Sequence, residues 1–248
     1  MNYLGIIPAR FASTRFPGKP LVEIGGKSMI QRVYEQASQA LKIVYVATDD
    51  KRIFEHVESF GGKVVMTSTE HKSGTDRCDE ALKKIQLNEE NSNFDVVINI
   101  QGDEPFVQPE QLRLLKSCFD DENVHIATLC KPISENSDIF NPNVVKVVRD
   151  NSLKAIYFSR SPIPYIRSEK TENWQTVHTF FKHLGLYAYR TKVLKQITML
   201  KPSTLELAES LEQNRWLENG LHILVETTHL ETVAIDTPED LEKVKGMF

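Results

Sequence analysis

The sequence predicts an α/β fold built on a mostly parallel β-sheet. Short apolar segments with the composition of buried strands alternate with segments whose apolar residues recur at helical spacing. In the first half of the chain a single helix-like segment separates each strand from the next, which is the pattern of βαβ units. Ligands of such sheets bind beyond the carboxyl ends of the strands. The loops after residues 8, 48 and 100 are therefore the first candidates for a functional site.

The elements of the first half follow from local patterns. The first predicted helix spans residues 28–41, and its apolar side chains recur every three or four positions. They are Met29, Ile30, Val33, Tyr34, Ala37 and Leu41. The predicted elements, in order, are strand 3–8, helix 28–41, strand 42–48, a helix to 60, strand 63–67, a helix to about 87, strand 95–100 and helix 110–119.

The pattern changes after Asn141. Residues 144–149 and 154–159 are predicted to form adjacent strands, because the Asp-Asn-Ser run between them favours a turn. The other predicted elements are strand 184–189, helices 192–200 and 205–218, strands 223–227 and 233–236, and a short final helix with Thr237 as its cap. The simplest organisation is one domain, 1–248, with a β-rich region around 141–190.

Composition excludes several classes of protein. The formal net charge of −4 argues against general nucleic-acid binding through a basic surface. The three cysteines have no CxxC spacing, so we expect buried free thiols rather than disulfides or a zinc site. The first residues lack the pattern of a signal peptide, and no stretch of 18 apolar residues occurs. We expect a cytoplasmic protein that does not bind membranes.

The loop of residues 8–20 is the most informative segment. It follows the first strand and concentrates cations, among them Arg10 and Lys19. Small residues such as Ser13 and Gly18 let backbone N–H groups approach a ligand closely. Cations fixed in a partly desolvated cleft hold a triphosphate better than solvated ones. The segment is neither a Walker loop nor a dinucleotide fingerprint, which disfavours an NAD dehydrogenase. It predicts an anion site, with a solvated basic loop as the alternative.

Two aspartates are candidate ligands of a hard cation. Asp103 follows the apolar strand 95–100 in the run Gln-Gly-Asp-Glu-Pro, and Asp236 precedes the capped final helix. Mg²⁺ takes one or two protein carboxylates and completes its octahedral shell with phosphate oxygens and water. Turn chemistry for Asp103 and helix-terminus electrostatics for Asp236 are the alternatives.

The stretch IIPARFASTRFPGKPL resembles the N-terminal motif of 3-deoxy-manno-octulosonate (Kdo) cytidylyltransferases, also called CMP-Kdo synthetases. Further segments match the family in order and spacing from Ile6 to Leu241. They are HKSGTDR, INIQGDEP, YFSR, HLGLYAYR, LEQ and DTPEDL. The resemblance implies a three-layer fold of the nucleotide-diphosphosugar transferase type, with a mostly parallel mixed sheet and helices on both faces. The departures are Asp76 where many members have Glu, and Asn214-Arg215-Trp216 in place of a more usual Leu-Arg run. Residues 164–179 have no clear counterpart.

The same resemblance implies roles for individual residues. The nucleotide-binding set is Ala9, Arg10, Ser13, Lys19, Thr48, Asp49 and Ser73. The catalytic set is Arg10, Lys19, Asp103 and Asp236, of which Asp103 and Asp236 hold Mg²⁺ as the cofactor. The Kdo-binding set is Arg77, Gln101, Arg160, His183, Tyr187, Glu212 and Gln213. From spacing alone, helix 205–218 places Glu209, Glu212 and Trp216 on one face.

The implied reaction transfers CMP from CTP to the anomeric C2 hydroxyl of Kdo, releases pyrophosphate and activates Kdo for lipopolysaccharide synthesis. Alternatives are a CMP-sialic acid synthetase and a non-catalytic nucleotide-binding regulator. The regulator is expected to lack one metal aspartate, whereas this chain has both. The family implies a homodimer that uses residues 162–174. The sequence leaves open Kdo against its 8-amino analogue, the number of metal ions and the identity of any general base.

Overall fold

The chain is described by a computed structural model that covers residues 1–12, 16–88, 93–233, 235 and 237–244. The strands are numbered in chain order: β1 (Tyr3–Ala9), β2 (Glu23–Ile24), β3 (Lys27–Ser28), β4 (Val44–Thr48), β5 (Val64–Met66), β6 (Val96–Asn99), β7 (Ile126–Pro132), β8 (Lys146–Arg149), β9 (Ala155–Ser159), β10 (Phe181–Arg190) and β11 (Ile223–Thr227). The α-helices are α1 (Met29–Ser38), α2 (Lys51–Ser59), α3 (Gly74–Asn88), α4 (Pro109–Ser117), α5 (Asn136–Phe140), α6 (Trp174–Val177), α7 (Thr191–Thr198), α8 (Thr204–Glu209), α9 (Gln213–Glu218) and α10 (Pro238–Val244).

One mixed sheet runs through the described part of the chain. Seven strands lie side by side in the order β11-β7-β10-β6-β1-β4-β5, and the β8–β9 hairpin attaches through β10. β1 pairs in parallel with both β4 and β6, and β4 with β5, as the βαβ pattern predicts. β10 is antiparallel to its neighbours β6 and β7, while β11 is parallel to β7. The mostly parallel mixed sheet is therefore confirmed.

Helices cover both faces of this sheet. Along β1, Leu4 and Ile6 point to a core shared with helices α3 and α7, whereas Ile7 points to a second core with α1, α2 and α4. This alternation is the period-two geometry of a strand buried on both faces. Each fully buried aliphatic side chain contributes about 1.5–3 kcal/mol. The three-layer arrangement is thus held by two cores that share one sheet.

The predicted elements of the first half are observed, with their ends shifted by up to three residues. Helix α1 begins after Ser28, whose Oγ accepts a hydrogen bond of 3.2 Å from the Gln31 N–H. Ser28 has extended backbone angles, as an N-cap residue requires. The helix ends at Ser38, and Leu41 is buried although it lies beyond the helix. Apolar periodicity therefore marked the core contacts more accurately than the helix end.

One central strand was missed by sequence reasoning. β7 lies between β10 and β11, and its first five residues are buried. Because both of its faces are covered, it reads as a short apolar run without alternation, which periodicity alone does not assign. The predicted strands 144–149 and 154–159 are observed as the antiparallel pair β8 and β9.

The predicted single helix 205–218 is wrong. Ser210 adopts φ 52° and ψ 47°, a left-handed conformation that ends α8, and α9 starts only at Gln213. Glu209 and Glu212 consequently do not share a helix face. The predicted strand 233–236 is not observed at its described residues, Val233 and Ile235, and its other two positions lie outside the described residues.

Three further predictions concern the final helix, the cysteines and the absence of a membrane-spanning stretch. Thr237 and Asp240 exchange hydrogen bonds at the start of α10, so the predicted capped helix is confirmed. Cys78, Cys118 and Cys130 are buried free thiols, as expected. Among the described helices, none is both long and apolar enough to cross a membrane.

Candidate active site

A cleft of about 230 Å³ opens at the carboxyl ends of β1 and β6. Its walls come from residues 8–10, 19–20, 71–74, 77 and 101–103. The two strand ends approach so closely that a Cβ on Gly102 would lie 2.7 Å from the Pro8 carbonyl oxygen. Only glycine fits there without a backbone shift. The fold therefore brings the basic loop and the Asp103 turn together, as the position of both loops predicted.

The basic loop enters the cleft through a tight turn. Gly18 has φ 72°, and its N–H donates a hydrogen bond of 3.0 Å to the Phe11 carbonyl oxygen. Lys19 then starts a short 3₁₀ helix, Lys19–Leu21. Its Nζ lies 2.7 Å from Oδ2 of Asp103, and the Lys19 side chain is only 12% exposed. The loop thus presents a largely buried cation beside a carboxylate.

Some of the predicted nucleotide-binding residues line the cleft and others do not. Ala9, Arg10, Lys19 and Ser73 all line the cleft, and Arg10 is exposed. Ser73 Oγ accepts the Asp76 N–H at the start of α3. Ser13 lies outside the described residues. These assignments stay predictions, but four of them share one cleft.

Thr48 and Asp49 lie behind that cleft. Thr48 is buried, and its carbonyl oxygen accepts hydrogen bonds from the N–H and hydroxyl of Thr67. Asp49 accepts a hydrogen bond of 2.7 Å from Arg77. Arg77 also donates a hydrogen bond of 2.6 Å to Thr67 Oγ1. Arg77 is almost fully buried. Asp49 therefore contacts Arg77 directly and Thr48 is linked to it through Thr67. Neither Thr48 nor Asp49 is among the described residues that line the cleft.

The two predicted metal ligands, Asp103 and Asp236, come from distant parts of the chain. Asp103 faces the cleft with its side chain 31% exposed. Asp236 lies outside the described residues. Ile235, its neighbour in sequence, is buried and donates its N–H to the Asp103 carbonyl oxygen at 3.0 Å. The C-terminal segment is therefore attached to the Asp103 turn.

Several predicted sugar-binding residues surround β10. Gln101 Nε2 donates a hydrogen bond of 3.1 Å to the Gly185 carbonyl oxygen, which joins β10 to the cleft. His183 and Tyr187 lie with ring centroids 5.2 Å apart. His183 Nε2 is 3.0 Å from Thr128 Oγ1, and desolvation by the surrounding protein lowers the pKa of His183 to about 3. This histidine is therefore neutral at physiological pH.

Tyr187 presents a buried hydroxyl that no described group satisfies. Burial raises the pKa of Tyr187 well above its usual value, with Glu212 adding to the effect. Glu212 accepts a hydrogen bond of 2.8 Å from Thr75, and burial raises the pKa of the Glu212 carboxyl. Gln213, at the start of α9, is buried. Unsatisfied buried polar groups call for a partner, such as water or a ligand.

Arg160 lies in a separate group of contacts. Its guanidinium donates to backbone carbonyl oxygens, at 2.7 Å to Glu209 and 3.0 Å to Pro142, with a longer contact of 3.5 Å to Ser210. The Glu209 carboxylate accepts the Arg160 N–H and the Ser159 hydroxyl. Lys146 donates to the Arg160 carbonyl oxygen at 2.7 Å. The described contacts thus tie Arg160 to Glu209 and not to Tyr187.

Sequence reasoning missed part of the cleft. His71 and Lys72 line it, and Lys72 adds an exposed cation beside Ser73. Their position in the polar loop directly before the predicted helix was the available signal. Gly102 lies in the Gln-Gly-Asp-Glu-Pro run singled out in the sequence, but its close approach to the Pro8 carbonyl oxygen is visible only in the tertiary structure.

Comparison with known proteins gives concordant matches. A family model described as cytidylyltransferase matches residues 4–223. A 3-deoxy-manno-octulosonate cytidylyltransferase from Parabacteroides distasonis is 60% identical over 247 residues, which cover 98% of this chain and 96% of the relative. One from Bacteroides thetaiotaomicron is 58% identical over 245 residues, with coverage of 98% and 96%.

Solved structures agree with these sequence matches. A CMP:2-keto-3-deoxy-manno-octonic acid synthetase complexed with CTP superposes with a TM-score of 0.90 and 42% identity, covering 100% of this chain and 98% of that one. A 4-diphosphocytidyl-2C-methyl-D-erythritol synthase from Anaerococcus prevotii gives a TM-score of 0.62 at 13% identity over 99% of this chain and 96% of that one, which shows a shared fold alone. From the family model, the full-length relatives and the cleft at the sheet edge together, the chain belongs to the 3-deoxy-manno-octulosonate cytidylyltransferase family.

Proposed function

We propose that this protein transfers CMP from CTP to the anomeric C2 hydroxyl of Kdo. The Kdo hydroxyl oxygen forms a bond to the α-phosphorus of CTP, and the bond from that phosphorus to the bridging oxygen of pyrophosphate breaks. The hydroxyl proton passes to solvent water. The observation that carries the proposal is the cleft shared by Arg10, Lys19 and Asp103 at the ends of β1 and β6. It places two cations and a carboxylate where an α/β sheet binds ligands.

Arg10 and Lys19 are proposed to bind the triphosphate. Arg10 is an exposed guanidinium on the cleft wall, free to contact phosphate oxygens, and Lys19 is held in place by Asp103. As pyrophosphate departs, negative charge grows on its oxygens, and fixed cations stabilise that charge without reorganisation. Catalysis by these residues is then positioning and charge neutralisation.

The residues of the cleft fit a magnesium ion. Asp103 supplies a partly exposed carboxylate, and Asp236 is proposed as the second. Mg²⁺ takes one or two protein carboxylates and completes its shell with phosphate oxygens and water. When bound there, Mg²⁺ would supply charge neutralisation of the phosphates and a lower pKa for the attacking hydroxyl.

The sugar is proposed to lie between the cleft and α9. Gln101 links the cleft to β10, and the unsatisfied Tyr187 hydroxyl is available to a sugar hydroxyl. Glu212 directly precedes α9, whose Trp216 ring has its centroid 5.2 Å from that of Tyr187. His183 and Gln213 complete the proposed set. Of the two arginines, Arg160 suits the Kdo carboxylate better. Arg77 already pairs with Asp49, whereas the contacts of the Arg160 guanidinium within the described part of the chain are to carbonyl oxygens.

We also propose a homodimer in the cytoplasm, where CMP-Kdo supplies lipopolysaccharide synthesis. Tyr165 is 76% exposed beside the ring of Trp174, and Ile156 is 61% exposed on β9, which pairs with β8 alone among the described strands. Contiguous apolar patches mark interfaces, and we propose that these side chains belong to one. The buried free thiols suit a reducing compartment. Sedimentation equilibrium tests the dimer, and a monomeric mass would exclude it.

Pyrophosphate release tests the reaction. The protein is incubated with Mg²⁺, Kdo and each of CTP, UTP, ATP and GTP in turn. Release with CTP and Kdo together, and not when either is omitted, supports the proposal. Binding of CTP without release would favour a nucleotide-binding regulator, and release only with a sialic acid would favour the other cytidylyltransferase.

A further inference from the structure

A stack of side chains attaches the basic loop to helix α2. Arg52 Cζ lies 3.3 Å from the centroid of the Phe11 ring. The same ring packs against Gly18, where an added Cβ would lie 3.1 Å from Phe11 Cε2 and Cζ. The Gly18 N–H donates to the Phe11 carbonyl oxygen at 3.0 Å. Phe11 therefore joins the two ends of the loop and also contacts a separate helix.

The guanidinium that covers Phe11 is itself fixed. Asp50 accepts hydrogen bonds from Arg52 Nε at 2.9 Å and from Nη2 at 2.7 Å, which is a two-point contact. Asp50 Oδ1 also accepts the Arg52 N–H at the start of α2. Two-point pairing sets the plane of a guanidinium, and a planar guanidinium stacks on an aromatic ring, whereas lysine can do neither. The stacking partner of Phe11 is thus preorganised on a helix.

The stack bears directly on the cleft. Arg10 precedes Phe11 in the chain, and Lys19 follows Gly18, so holding Phe11 against Gly18 fixes the approach of both cations. Arg52 does not line the described cleft and makes no contact there. We propose that Arg52, oriented by Asp50, is a positioning residue that holds Phe11 against Gly18 by stacking on the Phe11 ring. Its effect on CTP rests on the proposed function, whereas the attachment of Phe11 does not.

The rate of chymotrypsin cleavage after Phe11 measures how firmly the Phe11 ring is held, without any substrate. Cleavage after Phe11 requires the ring to leave its stack and enter the protease. In the full-length protein, we expect Arg52→Ala to accelerate this cleavage roughly two- to fivefold, the range of an exposed cation–π contact. Arg52→Lys should give an intermediate rate, because an ammonium keeps a charge near the ring but cannot form the two-point contact with Asp50. The control is Lys51→Ala, which changes the neighbouring, largely exposed residue of α2. Equal rates in all four proteins would overturn the proposal.

Kinetics measure the consequence for the nucleotide. We expect Arg52→Ala to raise KM for CTP roughly two- to fivefold while kcat and KM for Kdo stay unchanged. In a Phe11→Leu background, Arg52→Ala should have no further effect, because the partner ring is already gone. An additive effect, or a fall in kcat with an unchanged KM for CTP, would overturn the proposal.

The two experiments separate this inference from the proposed function. If the wild-type protein releases no pyrophosphate from CTP and Kdo, the proposed function fails. Faster cleavage after Phe11 in the Arg52 variants would then still support the stack, and unchanged cleavage would refute it.

Discussion

Lys19 Nζ lies 2.7 Å from Asp103 Oδ2, so the cation proposed for pyrophosphate pairs with the carboxylate proposed for Mg²⁺. The pair neutralises two charges that the fold holds in a partly buried cleft, where an unpaired charge is costly. Both partners are also groups that a metal–nucleotide complex can bind, the ammonium by a phosphate and the carboxylate by the metal. In the free protein these two groups thus neutralise each other before the substrate arrives.

Replacing Asp103 by asparagine should abolish turnover and leave the protein folded. The change removes the anionic ligand while keeping the size of the side chain, and we expect kcat to fall at least about 100-fold. Pyrophosphate release measures kcat, and circular dichroism checks the fold. Asp121→Asn, at an exposed turn, is the matched control and should retain activity. Near-normal turnover of Asp103→Asn would remove Asp103 from the metal site.

Gly102→Ala should damage both stability and activity. Its Cβ would meet the Pro8 carbonyl oxygen at 2.7 Å, so the backbone at the end of β1 must move. We expect a loss of about 1–3 kcal/mol in the free energy of unfolding, measured in urea. Gly74→Ala is the control for stability, since its Cβ would meet Pro8 Cγ at an ordinary 3.5 Å. If both variants were equally stable, the close approach would not constrain the fold.

Tyr187→Phe should separate binding from stability. The Tyr187 hydroxyl is buried without a described partner, so its removal should leave the free energy of unfolding unchanged or slightly higher. If the hydroxyl contacts Kdo, KM for Kdo should rise roughly tenfold, as expected for about 1.4 kcal/mol of lost hydrogen bonding. Tyr34→Phe, on α1 and outside the described cleft lining, is the control and should leave KM for Kdo unchanged. An unchanged KM for Kdo in Tyr187→Phe would remove this residue from the sugar site.

His183 should make the protein less stable in acid. Its folded pKa is about 3, below the unfolded value of 6.5, so the unfolded chain binds a proton between these values that the folded protein does not. The free energy of unfolding should therefore fall below pH 6 by about 1.4 kcal/mol per pH unit relative to His183→Gln. Urea titrations at pH 4, 5, 6 and 7 measure the difference. Parallel pH dependence in the two proteins would contradict the low pKa.

Local patterns predicted the first half of the fold because its strands are joined by single helices. The parallel order of β1, β4 and β5 follows from that connectivity. The insertion of β10 between β6 and β7 does not, since an antiparallel strand from a distant part of the chain leaves no local signal. The left-handed Ser210 ends α8, although apolar spacing predicted one helix to residue 218. Periodicity does not reveal a single left-handed residue, so the break could not be predicted.

The candidate site divides in the same way. Arg10, Lys19 and Asp103 could be predicted because they follow strands that end at one sheet edge. Tyr187 and Glu212 were named only through resemblance, since neither burial nor an unsatisfied hydroxyl is visible in a sequence. The break at Ser210 also determines that Glu209 binds the backbone of Arg160 while Glu212 meets Thr75. The different partners of these two glutamates depend on tertiary packing, which the sequence does not show.

The measurement that tests the central claim most directly is the specificity of product formation. The protein is supplied with CTP and Mg²⁺ and with equal concentrations of Kdo and N-acetylneuraminate, and the CMP-sugars formed are separated and identified by mass. We predict CMP-Kdo with an equal amount of pyrophosphate and no CMP-sialic acid. Formation of CMP-sialic acid in preference to CMP-Kdo, or consumption of CTP without any CMP-sugar, would contradict the account.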